Sequence, residues 1–240
     1  MITQRTVLVA DDNQATNMRM SILLKRLDYF VFTALNCSDV MKKMTNFNPD
    51  VVLMSLRLPE MGSGTCLGYI KKDAKIKAMP VVIMGEKTDT KVMEEQLLKG
   101  ASAYIFKPVT PTVLYQVVQK LTEKKPRANV RARIIFKTIL TYQNTKRVSF
   151  ASTLSEKGVF IRTVNPIPIG TKVSISMDLP SEKPIELEGI VIYTVEFNRD
   201  EFVEPGMCIQ FSNIDKDMQI GLRRFVEEQL TYDLDPNLEL

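Results

Sequence analysis

Arg127 and Arg131 stand four residues apart in a stretch that is far more basic than the rest of the chain. From Lys124 to Arg147 there are eight Lys or Arg and no Asp or Glu, although the 240-residue sequence has a formal net charge of only +4. Thr153, Ser155 and Gly158 follow, offering hydroxyls and a residue with no side chain. Guanidinium groups grip phosphate oxygens bidentately and stack on planar rings. They also read the O6/N7 edge of guanine. The chemistry this set fits is capture of an anionic ligand that contains a purine.

A second set combines acid and base. Asp11 and Asp12 follow the apolar run Thr6–Ala10, and Ser55 ends the run Val51–Ser55. Gly85 follows Pro80–Met84, and Lys107 follows Ala103–Phe106. Magnesium prefers several hard oxygens in near-octahedral geometry, so two carboxylates and a neutral serine predict weak metal binding at best. The acidic pair equally suits the N-terminal cap of a following helix. The chain has no histidine, which removes every mechanism that needs an imidazole base, shuttle or metal ligand. No nucleophile, base and metal constellation is left, and the reading is a non-enzymatic protein without a tightly bound cofactor.

The elements that carry these residues fall into two series. Strand-like runs at 6–10, 29–34, 51–55, 80–84 and 103–106 alternate with helical spacing at 14–27, 38–44, 64–73, 90–98 and 110–123. Five strands alternating with five helices predict a doubly wound α/β fold with a parallel sheet. Sites in such folds lie beyond the carboxyl ends of the strands, where Asp11, Asp12, Ser55, Gly85 and Lys107 stand. Beyond residue 131 the period changes to two. Six short strands separated by Asn165-Pro166, Ile169-Gly170, Pro180-Ser181 and Glu204-Pro205-Gly206 predict a six-stranded all-β barrel. A helix over 215–230 closes it, and a polar tail from Thr231 is expected to fray. The predicted organisation is a domain over 1–123, a flexible basic linker over 124–131, a barrel domain over 132–232 and a tail over 233–240.

Hydrophobic content of 45% and charged content of 25% describe a globular chain. No apolar run is long enough for a membrane-spanning helix, and the first residues lack the apolar core of a signal peptide. Cys37, Cys66 and Cys208 show no disulfide or metal spacing and are expected to be free thiols. A cytoplasmic location fits these features.

The first series resembles response-regulator receiver domains. Asp11-Asp12 look like the family's acidic pair. Asn48-Pro49-Asp50 with Leu58-Pro59-Glu60-Met61 are similar to the flanks of its phospho-accepting aspartate. Phe106-Lys107-Pro108 resembles its lysine and proline, and Tyr104 its switching aromatic. The chain departs from the family at Ser55, where the acceptor aspartate belongs, and at Gly85, where a phosphoryl-contacting Thr or Ser belongs. The resemblance thus implies a receiver-like scaffold that does not take phosphate and serves as a docking or dimerisation module, possible homodimers included.

The second series resembles the PilZ family. Arg127 and Arg131 match its RxxxR motif. Thr153, Ser155 and Gly158 align with its [D/N]xSxxG motif, Thr153 departing from Asp or Asn. SxxG is also a common turn, in which Gly158 would supply a positive φ. The resemblance implies a signalling effector for cyclic di-GMP, acting in motility, surface attachment or polysaccharide output. The ligand would order the linker and alter protein contacts. Two alternatives stay open: an adaptor that binds no nucleotide, and nucleic-acid binding by the basic arm. The acid-rich residues 178–204 and the absence of a helix-turn-helix pattern argue against DNA.

Overall fold

The computed structural model describes residues 4–59, 65–179, 184–198 and 203–234. Glu60 and Met61, the turn at Pro180-Ser181 and tail residues 235–240 lie outside them. Packing divides the chain into two compact units. One runs to Ala128 and takes in the chain again from Leu230; the other is Asn129–Gln229.

The first unit is a five-stranded parallel sheet in the order β2-β1-β3-β4-β5. Its strands are β1 (Thr6–Ala10), β2 (Phe30–Ala34), β3 (Val51–Ser55), β4 (Val81–Gly85) and β5 (Ala103–Phe106). Helices α1 (Gln14–Arg26), α2 (Cys37–Phe47), α3 (Cys66–Lys72), α4 (Thr90–Leu98) and α5 (Pro111–Thr122) alternate with them. Every residue of β3 and β4 is buried, as expected of central parallel strands covered on both faces. Side-chain caps start α1, α2, α3 and α5. Thr65 caps α3, and Thr110 caps α5 with proline in its first turn. The cap of α1 is Asn13, which accepts from the Ala15 and Thr16 amides. Asp11 and Asp12 are therefore not the cap: they form the turn after β1 ends at Ala10, two residues and one residue before Asn13.

Two further expectations are corrected in this unit. Cys37 and Cys66, 29 residues apart in sequence, are joined as a disulfide with Cα atoms 5.4 Å apart. The topology places the starts of α2 and α3 side by side, which linear spacing does not reveal. Thr231–Leu234 do not fray: Arg26 donates to the Leu230 carbonyl and to the Asp233 carboxylate, and Leu234 is buried.

The second unit is a closed antiparallel barrel in the order β10-β11-β8-β7-β6-β9. Its strands are β6 (Arg131–Tyr142), β7 (Thr145–Ser155), β8 (Gly158–Arg162), β9 (Lys172–Met177), β10 (Ile185–Val195) and β11 (Gly206–Ser212), followed by α6 (Lys216–Thr231). Alternation, interrupted by register shifts in β6 and β7, sends Leu140, Leu154, Val159, Ile161, Ile175 and Ile209 inward, each essentially inaccessible. Burying each such side chain contributes about 1.5–3 kcal/mol. Closure leaves no free sheet edge. β6 begins at Arg131 rather than Ile134, so this arginine is a strand residue paired with Ser155, not the end of a linker. No helix among the described residues is long and apolar enough to cross a membrane.

Candidate functional site

In the first unit, the strand ends deliver Asp11, Asp12, Ser55, Gly85 and Lys107 to one cleft of about 520 Å³. Asp11 is 2% exposed. Its carboxylate accepts from Lys107 Nζ at 2.7 Å and from the Asn13 amide at 3.0 Å. Asn17 on α1 braces the same turn, donating to the Asp11 and Ala34 carbonyls. Asp12 is exposed and Ser55 is buried. A Cβ on Gly85 would lie 3.0 Å from Met93 Sδ, so the methionine side chain fills the space beside that position. A hard divalent cation fits this set poorly: Ser55 adds no charge, and the Lys107 ammonium already neutralises Asp11. Among the described residues no cluster of three acidic, cysteine or histidine ligands forms.

The second unit carries the other cleft, about 190 Å³ on the outer face of the barrel. The ladder explains how distant residues meet there. Residues paired across neighbouring strands point to the same face. Arg131 pairs with Ser155, Ser155 with Gly158, and Gly158 with Gln210. Two residues along, Arg133 pairs with Thr153, Thr153 with Phe160, Phe160 with Cys208, and Cys208 with Tyr193. These two rows lie next to each other. They place Arg131, Thr153, Ser155 and Gly158 in one cleft, whose lining also includes Lys157, Phe160, Tyr193, Cys208 and Gln210. The last five escaped the sequence reading, which had no register; alternation outside the buried positions was their only signal.

The loop between Ser155 and Gly158 is held from both sides. Ser155 Oγ donates to the Gly158 carbonyl at 3.1 Å and accepts from the Lys157 amide at 3.4 Å. Glu156, 7% exposed, turns the other way and accepts from Gln219 Nε2 at 2.9 Å and from Arg223 Nε. Burial alone would raise its carboxyl pKa. The bonds from Arg223 and Gln219 outweigh that and hold it below the ordinary carboxylate range. Gly158 is not among the positive-φ residues; it is required because a Cβ there would stand 2.6 Å from the Ile209 carbonyl oxygen. Burial pushes the Cys208 thiol up, against the opposing pull of a Tyr193 hydrogen bond and the Arg131 charge.

Arg127 belongs to the first unit. The flexible tether expected around it is held there: its amide donates to Gln119 Oε1 at 3.0 Å, and Gln116 Nε2 donates to the Ala128 carbonyl at 3.0 Å. Gln119 also donates to the Tyr29 hydroxyl at 3.0 Å, whose pKa burial pushes up to about 12.

Residues 7–119 match the response regulator receiver domain, and residues 124–228 match the PilZ domain. The chain is a receiver domain fused to a PilZ domain. Both families are regulatory rather than catalytic. Curated relatives match about half of this chain. Protein PilH of Pseudomonas aeruginosa is 27% identical over 112 residues, 47% of this chain and 93% of that one. The hybrid signal transduction histidine kinase D of Dictyostelium discoideum is 28% identical over 120 residues, half of this chain but only 8% of the kinase. Among solved structures, the chemotaxis response regulator CheY4 of Vibrio cholerae aligns with TM-score 0.46 and 23% identity, covering 50% of this chain and 99% of its own. The Bacillus subtilis inhibitor of motility MotI/DgrA aligns with TM-score 0.39 and 18% identity, covering 45% of this chain and 53% of its own.

Proposed function

We propose that the chain is a bacterial, cytoplasmic signalling effector whose PilZ domain binds cyclic di-GMP. One observation carries this reading: two adjacent register rows assemble Arg131, Thr153, Ser155 and Gly158 in a single outer-face cleft. A guanidinium beside small hydroxyls and a bare glycine suits a ligand that brings phosphates and flat rings to a barrel surface. Arg127 is the second guanidinium that RxxxR assigns to the ligand. Its amide is bound to Gln119 and the neighbouring Ala128 carbonyl to Gln116, so nucleotide uptake would redirect an already ordered segment and bias the protein contacts of the receiver domain. The receiver domain then acts as a docking or dimerisation module that takes no phosphate, since Ser55 lacks the carboxylate needed for an acyl phosphate.

Calorimetric titration of the full chain with cyclic di-GMP tests the reading. Binding at low micromolar concentration or tighter, lost in Arg131→Ala, is the expected result. No binding in either protein leaves a PilZ adaptor that works through protein contacts alone.

A further inference from the structure

Resting on that reading, we infer that Gln210 is the residue that recognises the edge of the purine. It stands in the same ladder row as Arg131, Ser155 and Gly158, on the exposed face of β11. Gly158 has no side chain, so the floor between Ser155 and Gln210 is bare backbone. Those two residues are two strand spacings apart, about 10 Å, room for a flat bicyclic ring lying over the glycine.

The hydrogen-bond inventory singles out Gln210. The Watson–Crick edge of guanine presents the O6 acceptor beside the N1–H donor, and a carboxamide is the neutral side chain that offers the complement of both at once. Thr153 has one hydroxyl. The Ser155 hydroxyl is committed to the Gly158 carbonyl and the Lys157 amide. Asn129 also lines the cleft with a carboxamide, but it precedes β6 and lacks a place in the ladder. Gln210 sits on a strand hydrogen bonded on both sides, to β8 and β10. A contact on a rigid element is held more accurately than one on a loop. The neighbouring row adds the Phe160 and Tyr193 rings, with centroids 6.3 Å apart, as apolar surface beside the base. The carboxamide thus supplies the paired contact that a threonine at 153 cannot.

The test is a calorimetric comparison of the full chain with Gln210→Met and Asn129→Ala, using cyclic di-GMP and cyclic di-AMP as probes. Methionine keeps the length of the side chain on an exposed face, so the melting temperature should not move. The expected result is about tenfold weaker cyclic di-GMP binding in Gln210→Met at an unmoved melting temperature. A purely structural role would lower the melting temperature along with the affinity. Unchanged affinity in Gln210→Met, or loss confined to Asn129→Ala, overturns the inference alone. A native chain that binds neither nucleotide overturns the proposed function as well.

Discussion

Replacing Gly158 with alanine perturbs the point where the ligand cleft and the barrel wall coincide. The new Cβ would stand 2.6 Å from the Ile209 carbonyl oxygen and 3.4 Å from Gln210 Cα. Carbon–oxygen contacts between strands close to about 3.3 Å, so β8 and β11 must separate by roughly 0.7 Å. The obstacle is backbone, which cannot swing aside as a side chain would. Overpacking of this kind costs about 1–3 kcal/mol, and weakening a ladder hydrogen bond adds about 1 kcal/mol. A total of about 2–4 kcal/mol lowers the melting temperature of a unit this size by about 10–30 °C. Scanning calorimetry of the full chain measures that shift. Hydrogen exchange should place the loss of protection on β8 and β11. A transition lowered by less than about 3 °C, with protection of those strands intact, refutes the close-approach argument.

Three other outcomes follow from the same geometry. Lys107→Met leaves the Asp11 carboxylate buried without its cation and should cost about 3 kcal/mol in urea unfolding; a loss below about 0.5 kcal/mol contradicts the pairing. Incubation with acetyl phosphate and magnesium should leave the intact mass unchanged, whereas a labile phosphoryl adduct would show that the receiver domain still accepts phosphate. Glu156 is held below its ordinary value of 4.5, so its stabilisation is complete above that pH and fades as pH falls through the folded-state value. Glu156→Gln should therefore flatten the acid limb of the stability curve, and an unchanged limb would deny Glu156 that role.

Much of the architecture is legible in the sequence because burial on both faces leaves a plain mark. The unbroken apolar runs of β3 and β4 identify central parallel strands, and their ends locate Ser55 and Gly85 beside Asp11 and Lys107. The alternation of β9 is just as readable. What stays hidden depends on register and topology. The short hairpin already pairs Thr153 with Phe160, but nothing in the linear order pairs Gly158 with Gln210, which meet only because β8 lies against β11. Cys37 and Cys66 meet only because two helices start side by side. Asn13 takes the cap from Asp12 because β1 sets the phase of the turn, and a one-residue phase is below what side-chain type can resolve. Arg131 looked like linker because charge marks exposure, yet an exposed arginine sits as well on a barrel's outer face.

The most direct test of the central claim is hydrogen exchange of the full chain with and without cyclic di-GMP. The account predicts added protection at Arg131–Arg133, Thr153–Phe160 and Cys208–Gln210, the segments that form the two rows. Unchanged exchange across those segments at saturating nucleotide, or protection confined to the cleft of Asp11, Ser55 and Lys107, would contradict it.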